Sequence, residues 1–210
     1  MHKIGNIDVS ITSADIATMA TDAIVVPEFQ HCALLSGIGK AIAQTCPKGM
    51  QMYDLYAKAE GFSLGSVIAT EAGSATCKHL LHAVIIGCCR EDLFACVKTS
   101  LEKALFMADK KGDRSIAIPP LGTGFNGCLS IEQSAKAVFA AIADFEPLSE
   151  NITRIKFAVP AKAINSVEAI MQNQSYLNGE QEIADNGFNL GEWIYTLCNQ
   201  LNSSVPEVGC

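Results

Sequence analysis

Ser115–Gly127 reads SIAIPPLGTGFNG, and the order of elements within it points to the fold class. Ile116, Ala117 and Ile118 have strand character, and Pro119-Pro120 close the strand because proline donates nothing to a sheet ladder. Gly122, Thr123, Gly124 and Gly127 make a side-chain-poor loop. Ser130-Ile131-Glu132 then opens a helical pattern carried by Ala135, Val138, Phe139 and Ile142. Glycines let a backbone approach a ligand closely and turn its N–H groups inward, so a strand–glycine loop–helix unit suits an anion, phosphate above all. The spacing is neither GxGxxG nor GxxxxGK[ST]. A plain tight turn between strand and helix is the alternative reading.

A second glycine element lies far upstream, Leu35-Ser36-Gly37-Ile38-Gly39-Lys40-Ala41-Ile42, again between a strand-like run (Ala23 to Val26) and a helix. With it the chain resembles the macrodomain family, α/β/α modules that bind ADP-ribose. The resemblance runs from about Asp8 to Ile170. It is carried by Ala14-Asp15-Ile16, by Asp22-Ala23-Ile24-Val25, by the Gly37 to Ile42 loop, by Leu81-His82-Ala83-Val84 and by Pro119 to Gly127. It implies a three-layer α/β/α sandwich around a mixed, mostly parallel six-stranded sheet. It also implies a ligand site in which Asp15, beside Ile16, takes the adenine amino group. The turns Ser36-Gly37-Ile38 and Leu121-Gly122-Thr123-Gly124 would hold the diphosphate, with Phe29, Phe125 and Asn126 near the distal ribose. No metal and no cofactor belong to this expectation. Read without the resemblance, Asp15 is equally suited to capping a short helix.

The chain departs from the family at Val26-Pro27-Glu28-Phe29, where macrodomains usually have Asn-Ala-Ala-Asn, and at Gly39, where many hydrolytic members have an aspartate. No catalytic residue is therefore assigned. Pro27 to Cys32 reads as loop, with Glu28, Gln30 and His31 either solvated or a replacement for the missing chemistry. Binding of ADP-ribose or a related adenine diphosphate is the leading expectation. The alternatives are hydrolysis of ADP-ribosyl or O-acetyl-ADP-ribose substrates and a scaffold or interaction protein that has lost its ligand.

Composition narrows the classes. Apolar residues make up 49% of 210 residues and charged ones 18%, as in a folded globular chain. A net charge of -7 speaks against a general nucleic-acid surface. No apolar run reaches the roughly 18 residues that span a bilayer, and MHKIGNIDVS holds no extended apolar stretch of a secretory signal. The nine cysteines are odd in number and scattered in apolar stretches, Cys88-Cys89, Cys96 and Cys198 among them. They read as reduced thiols of a cytoplasmic protein.

The remaining periodicities predict strands at Ile4–Thr12, Asp22–Val26, Gly65–Thr70, Lys78–Ile86 and Ile155–Val159. Helices are predicted from Gly37 to Thr45, Met50 to Ala59, Glu91 to Lys111, Ile131 to Asp144 and Ala163 to Gln172. His82, inside an apolar strand, reads as a satisfied core histidine. The domain is expected over residues 1–173. Residues 174–210 form a polar linker and an amphipathic helix, Leu190 to Leu201, that docks on the domain or engages another subunit or protein.

Overall fold

A computed structural model describes residues 1–33, 37–87, 92–124 and 129–177. A seven-stranded sheet forms its middle layer: β1 (His2–Ile4), β2 (Ile7–Thr12), β3 (Ala23–Phe29), β4 (Val67–Glu71), β5 (His79–Ile86), β6 (Ser115–Ile118) and β7 (Arg154–Ala158), in the order β1-β2-β7-β6-β3-β5-β4. The five inner strands run parallel, and the edge strands β1 and β4 are antiparallel. The seventh strand, beyond the six expected, is β1, a three-residue hairpin partner of β2.

Parallel strands covered on both faces need apolar residues at consecutive positions, and the sequence supplies them. Ala23, Val25, Leu81, Ala83, Ile116 and Ile118 face one core with α3 (Leu93–Lys110), α4 (Ile131–Phe145) and α5 (Ile164–Gln172). Ile24, Val26, Leu80, Val84 and Ala117 face the other with α1 (Ile38–Thr45) and α2 (Pro47–Glu60). Pro47 interrupts the upstream helix as expected and then serves as the first residue of α2, where its missing N–H costs nothing. Past α5 the chain stays on the domain at least to Tyr176, three residues beyond the boundary expected, whose buried ring meets Phe139 edge to face at 5.8 Å. The predicted linker and terminal helix from 178 onward lie outside the described residues. No helix among the described residues is long and apolar enough to cross a membrane.

One correction concerns β3. The strand does not stop at Val26 but runs through Pro27 and Glu28 to Phe29. Its pairing with β6 covers only Ala23 and Ile24, so at Pro27 that side of the strand has no ladder partner to lose. Glu28, expected on a loop, is fully buried instead.

Asp22 explains why β3 and β6 lie side by side. Its Oδ2 accepts from the backbone N–H of Arg114 and of Ser115, both at 3.0 Å, and from the Ser115 hydroxyl at 2.9 Å. Lys78 Nζ sits 2.7 Å from Oδ1. Burial works to raise this carboxyl, but the hydrogen bonds from Lys78, Arg114 and Ser115 outweigh it and hold the pKa at about 2. One side chain thus stitches together the starts of the two strands whose far ends carry the two glycine loops.

Candidate functional site at the carboxyl edge of the sheet

β3 and β6 are neighbours and parallel, so the segments that leave them emerge at the same edge of the sheet. The segment after β3 turns to α1 on one face, and the segment after β6 turns to α4 on the other. Adjacent strands whose connections part in opposite directions leave a crevice outside their carboxyl ends, where open α/β sheets bind ligands. β2 is parallel to the same set, so Asp15, three residues beyond its end, comes to this edge too. A single turn of 3-10 helix, Ile16–Thr18, follows it and packs against α1.

At α1 the cap residue is Gly37, with φ of +52° and no side-chain hydrogen bond to the first-turn amides. The left-handed backbone there favours glycine, and no acidic residue occupies the first turn. The cap residue itself therefore offers no side chain to the first-turn N–H groups at the positive end of the helix dipole. α4 is the opposite case. Ser130 and Gln133 form a reciprocal capping box that satisfies two amides at its start, those of Ser130 and Gln133.

Between β6 and α4, Leu121 anchors the loop in the core and the Thr123 hydroxyl donates to the Pro120 carbonyl at 2.8 Å. Gly122 has φ of +76°, and a Cβ there would meet Leu129 Cδ1 at 3.0 Å. Gly124 is exposed, and a Cβ there would meet nothing within 4 Å among the described residues. Asp15 is exposed and caps the 3-10 turn, its Oδ1 accepting from the Ala17 N–H at 3.0 Å. Among the described residues no donor meets the second carboxylate oxygen. Ile16 is buried beneath it.

The fold thus brings Asp15, Ile16, Phe29, Gly37, Ile38, Leu121, Gly122, Thr123 and Gly124 to one edge. Ser36, Phe125 and Asn126 lie outside the described residues. Phe29 is the last residue of β3 and half-buried. His31 is exposed, with its ring against Gly61.

Sequence reasoning missed a buried polar cluster behind the β3 end. Glu28 Oε1 lies 3.0 Å from His82 Nδ1, and Thr70 Oγ1 lies 2.9 Å from His82 Nε2. The Tyr53 ring stacks on the imidazole at 4.5 Å and 15°. Glu28 and His82 have no exposed surface, and burial pushes the His82 imidazole down to about 3. The signal was available. Glu28 continues the face of Ile24 and Val26, and it is the acid in β3 matching the histidine in the middle of β5.

A protein-family model, Macro domain, matches residues 30–138, more than half of the chain. An uncharacterized protein of Pyrobaculum aerophilum is 29% identical over 158 residues, covering 73% of this chain and 84% of that protein. The human protein mono-ADP-ribosyltransferase PARP14 is 28% identical over 159 residues; the match takes in 75% of this chain but 8% of PARP14. Among solved structures, the Oceanobacillus iheyensis macrodomain with ADP superposes with a TM-score of 0.70 at 20% identity, covering 85% of this chain and 96% of that one. With the sheet order, the two glycine loops and this match together, the chain belongs to the Macro domain family.

Proposed function

We propose that the protein binds ADP-ribose, or a closely related adenine diphosphate, in the crevice at the carboxyl edge of the sheet. The first-turn amides of α1 from Gly37 and Ile38, with Ser36 preceding them, hold one side of the diphosphate. The Leu121-Gly122-Thr123-Gly124 loop holds the other. Asp15 accepts from the adenine amino group through the oxygen that its cap leaves over. Phe29, with Phe125 and Asn126, borders the distal ribose. The observation that carries this reading is the N-terminus of α1, which has glycine in place of a capping side chain, at an edge that also receives a second glycine loop. Family membership and the ADP-bound relative support it.

Catalysis is not part of the proposal. Glu28, the carboxylate nearest the position of the missing asparagines, is buried against His82 and turned away from solvent. A reducing, cytoplasmic setting is proposed as well, supported by the buried free thiols of Cys46 and Cys77. Burial pushes the Cys77 thiol up to about 12.

Calorimetric titration tests the binding. ADP-ribose is expected to bind one to one at micromolar affinity or tighter, each charge-assisted hydrogen bond contributing about 1.5–3 kcal/mol before the costs of association. No heat at millimolar ADP-ribose rejects the reading. Release of ADP-ribose from a modified protein faster than in an enzyme-free control would reinstate hydrolysis.

A further inference from the structure

The buried cluster behind β3 stands where an alternating strand should carry an apolar side chain. A buried carboxylate without a partner is strongly unfavourable, and a pair is tolerated only with good geometry and further hydrogen bonds. Here those conditions are met. Glu28 faces His82 Nδ1, Thr70 faces His82 Nε2, the Thr70 hydroxyl lies 3.3 Å from the Gly49 carbonyl, and Tyr53 covers the ring. The cluster spans three strands, β3, β5 and β4, and reaches α2 through Gly49 and Tyr53.

Its position matters more than its composition. The register of β3 against β5 slips between Glu28 and Phe29, an irregularity that re-aims the residues after it. Immediately beyond the slip, three bonds hand the chain over to α2 and its following loop. The Tyr53 hydroxyl donates to the Phe29 carbonyl, the Phe62 N–H donates to the Gln30 carbonyl at 2.8 Å, and the Ala33 N–H donates to Asp54 Oδ1 at 3.0 Å. Tyr53 therefore belongs to both sets, stacking on His82 and holding Phe29. The segment so fixed is the one that leads in sequence to Gly37 and the N-terminus of α1.

We propose that Glu28 and His82 are positioning residues for the adenine-diphosphate site: clamped by Tyr53 and Thr70, the pair sets where β3 leaves the sheet and hence where the Gly37 turn sits. The inference rests on the binding reading above for its ligand, but its structural half stands apart from it. Glu28→Gln supplies an acceptor or a donor to His82 Nδ1 and so serves either tautomer of the imidazole. Glu28→Leu supplies neither. Tyr53→Phe keeps the stacking ring and removes only the bond to Phe29.

The test uses two readouts on the full chain, amide hydrogen exchange without ligand and calorimetry with ADP-ribose. Glu28→Leu is expected to speed exchange at residues 29–33 and 37–41 and to weaken ADP-ribose at least tenfold at a temperature where it is fully folded. Glu28→Gln is expected to stay within about threefold of wild type. Tyr53→Phe is expected to loosen Phe29 to Ala33 and weaken binding severalfold. Should Glu28→Leu fail to fold, Tyr53→Phe decides: unchanged exchange and affinity overturn the proposal. Variants that melt earlier yet match wild type in both readouts also overturn it, because the cluster is then only structural. If the wild-type protein itself gives no heat with ADP-ribose, the binding reading fails, and exchange at residues 29–33 and 37–41 alone decides the positioning.

Discussion

Replacing Gly124 by glutamate separates the ligand site from the fold. A Cβ at this residue meets none of the described residues within 4 Å, and its backbone lies outside the left-handed region, so the substitution is expected to cost the fold little, within about 0.5 kcal/mol. The same change at Gly37 or Gly122 would confound the two effects. Both have positive φ, which costs a side chain about 1–2 kcal/mol, and Gly122 also has Leu129 at 3.0 Å. For a separation of roughly 5 Å between a glutamate carboxylate at residue 124 and a diphosphate held by the loop, and an effective dielectric of about 20, the repulsion is about 3 kcal/mol, or more than a hundredfold in affinity. Gly124→Gln has the same bulk without the charge and is the control. In calorimetric titrations with ADP-ribose, the glutamate variant should bind at least a hundredfold more weakly than wild type and far more weakly than the glutamine variant. The gap should narrow as salt is added. Equal affinities for Glu and Gln would place no phosphate charge beside this loop and refute the reasoning.

Asp15→Asn keeps an Oδ1 acceptor for the Ala17 N–H but turns a donor toward the adenine amino group. Melting temperature should hold while ADP-ribose weakens about tenfold, whereas loss of stability with unchanged affinity would make Asp15 a cap only. The Asp22 carboxyl, held at about 2 against its usual 3.8, contributes about 2 kcal/mol of stability after allowance for its 20% exposed side chain. That contribution is present above about pH 4 and lost as pH falls toward 2, so urea unfolding of wild type and Asp22→Asn should converge at low pH. Glu102 shows the reverse sign. Burial pushes its carboxyl up to about 7, against the pull of Lys98 and with the help of Asp144. Its contribution is therefore complete below about pH 4.5 and lost as pH rises through 7. Glu102→Gln should be more stable than wild type by up to about 3 kcal/mol at pH 8.5 and by little at pH 4. A difference that does not grow with pH would contradict this.

Much of the architecture was legible because the punctuation is strong. The proline pair after Ile118 and the glycine clusters bound strands, and the mostly parallel sheet follows from the family resemblance. Both loop positions follow from that punctuation. The boundary expected after Val26 rests on proline ending a strand, a rule that does not hold at Pro27 because β3 there pairs with β5 on one side only. The role of Asp22 depends on Arg114 and Ser115, more than ninety residues away, and no local pattern announces such a partner. Asp15 suits two roles in the sequence, and its geometry leaves room for both: it is exposed, and Oδ1 alone serves the cap. The Glu28–His82 pair is legible only if the strand is carried through Pro27, which puts Glu28 on the face of Ile24 and Val26; a charged residue next to proline otherwise reads as loop.

The central claim is that two glycine turns distant in sequence serve one ligand. Backbone amide shifts recorded during an ADP-ribose titration test it most directly. The expected result is a single saturating transition at micromolar ligand, with the largest changes at Gly37 to Lys40 and at Gly122 to Gly124 moving together. Changes confined to one of the two turns, changes elsewhere on the surface, or none at millimolar ligand would contradict it.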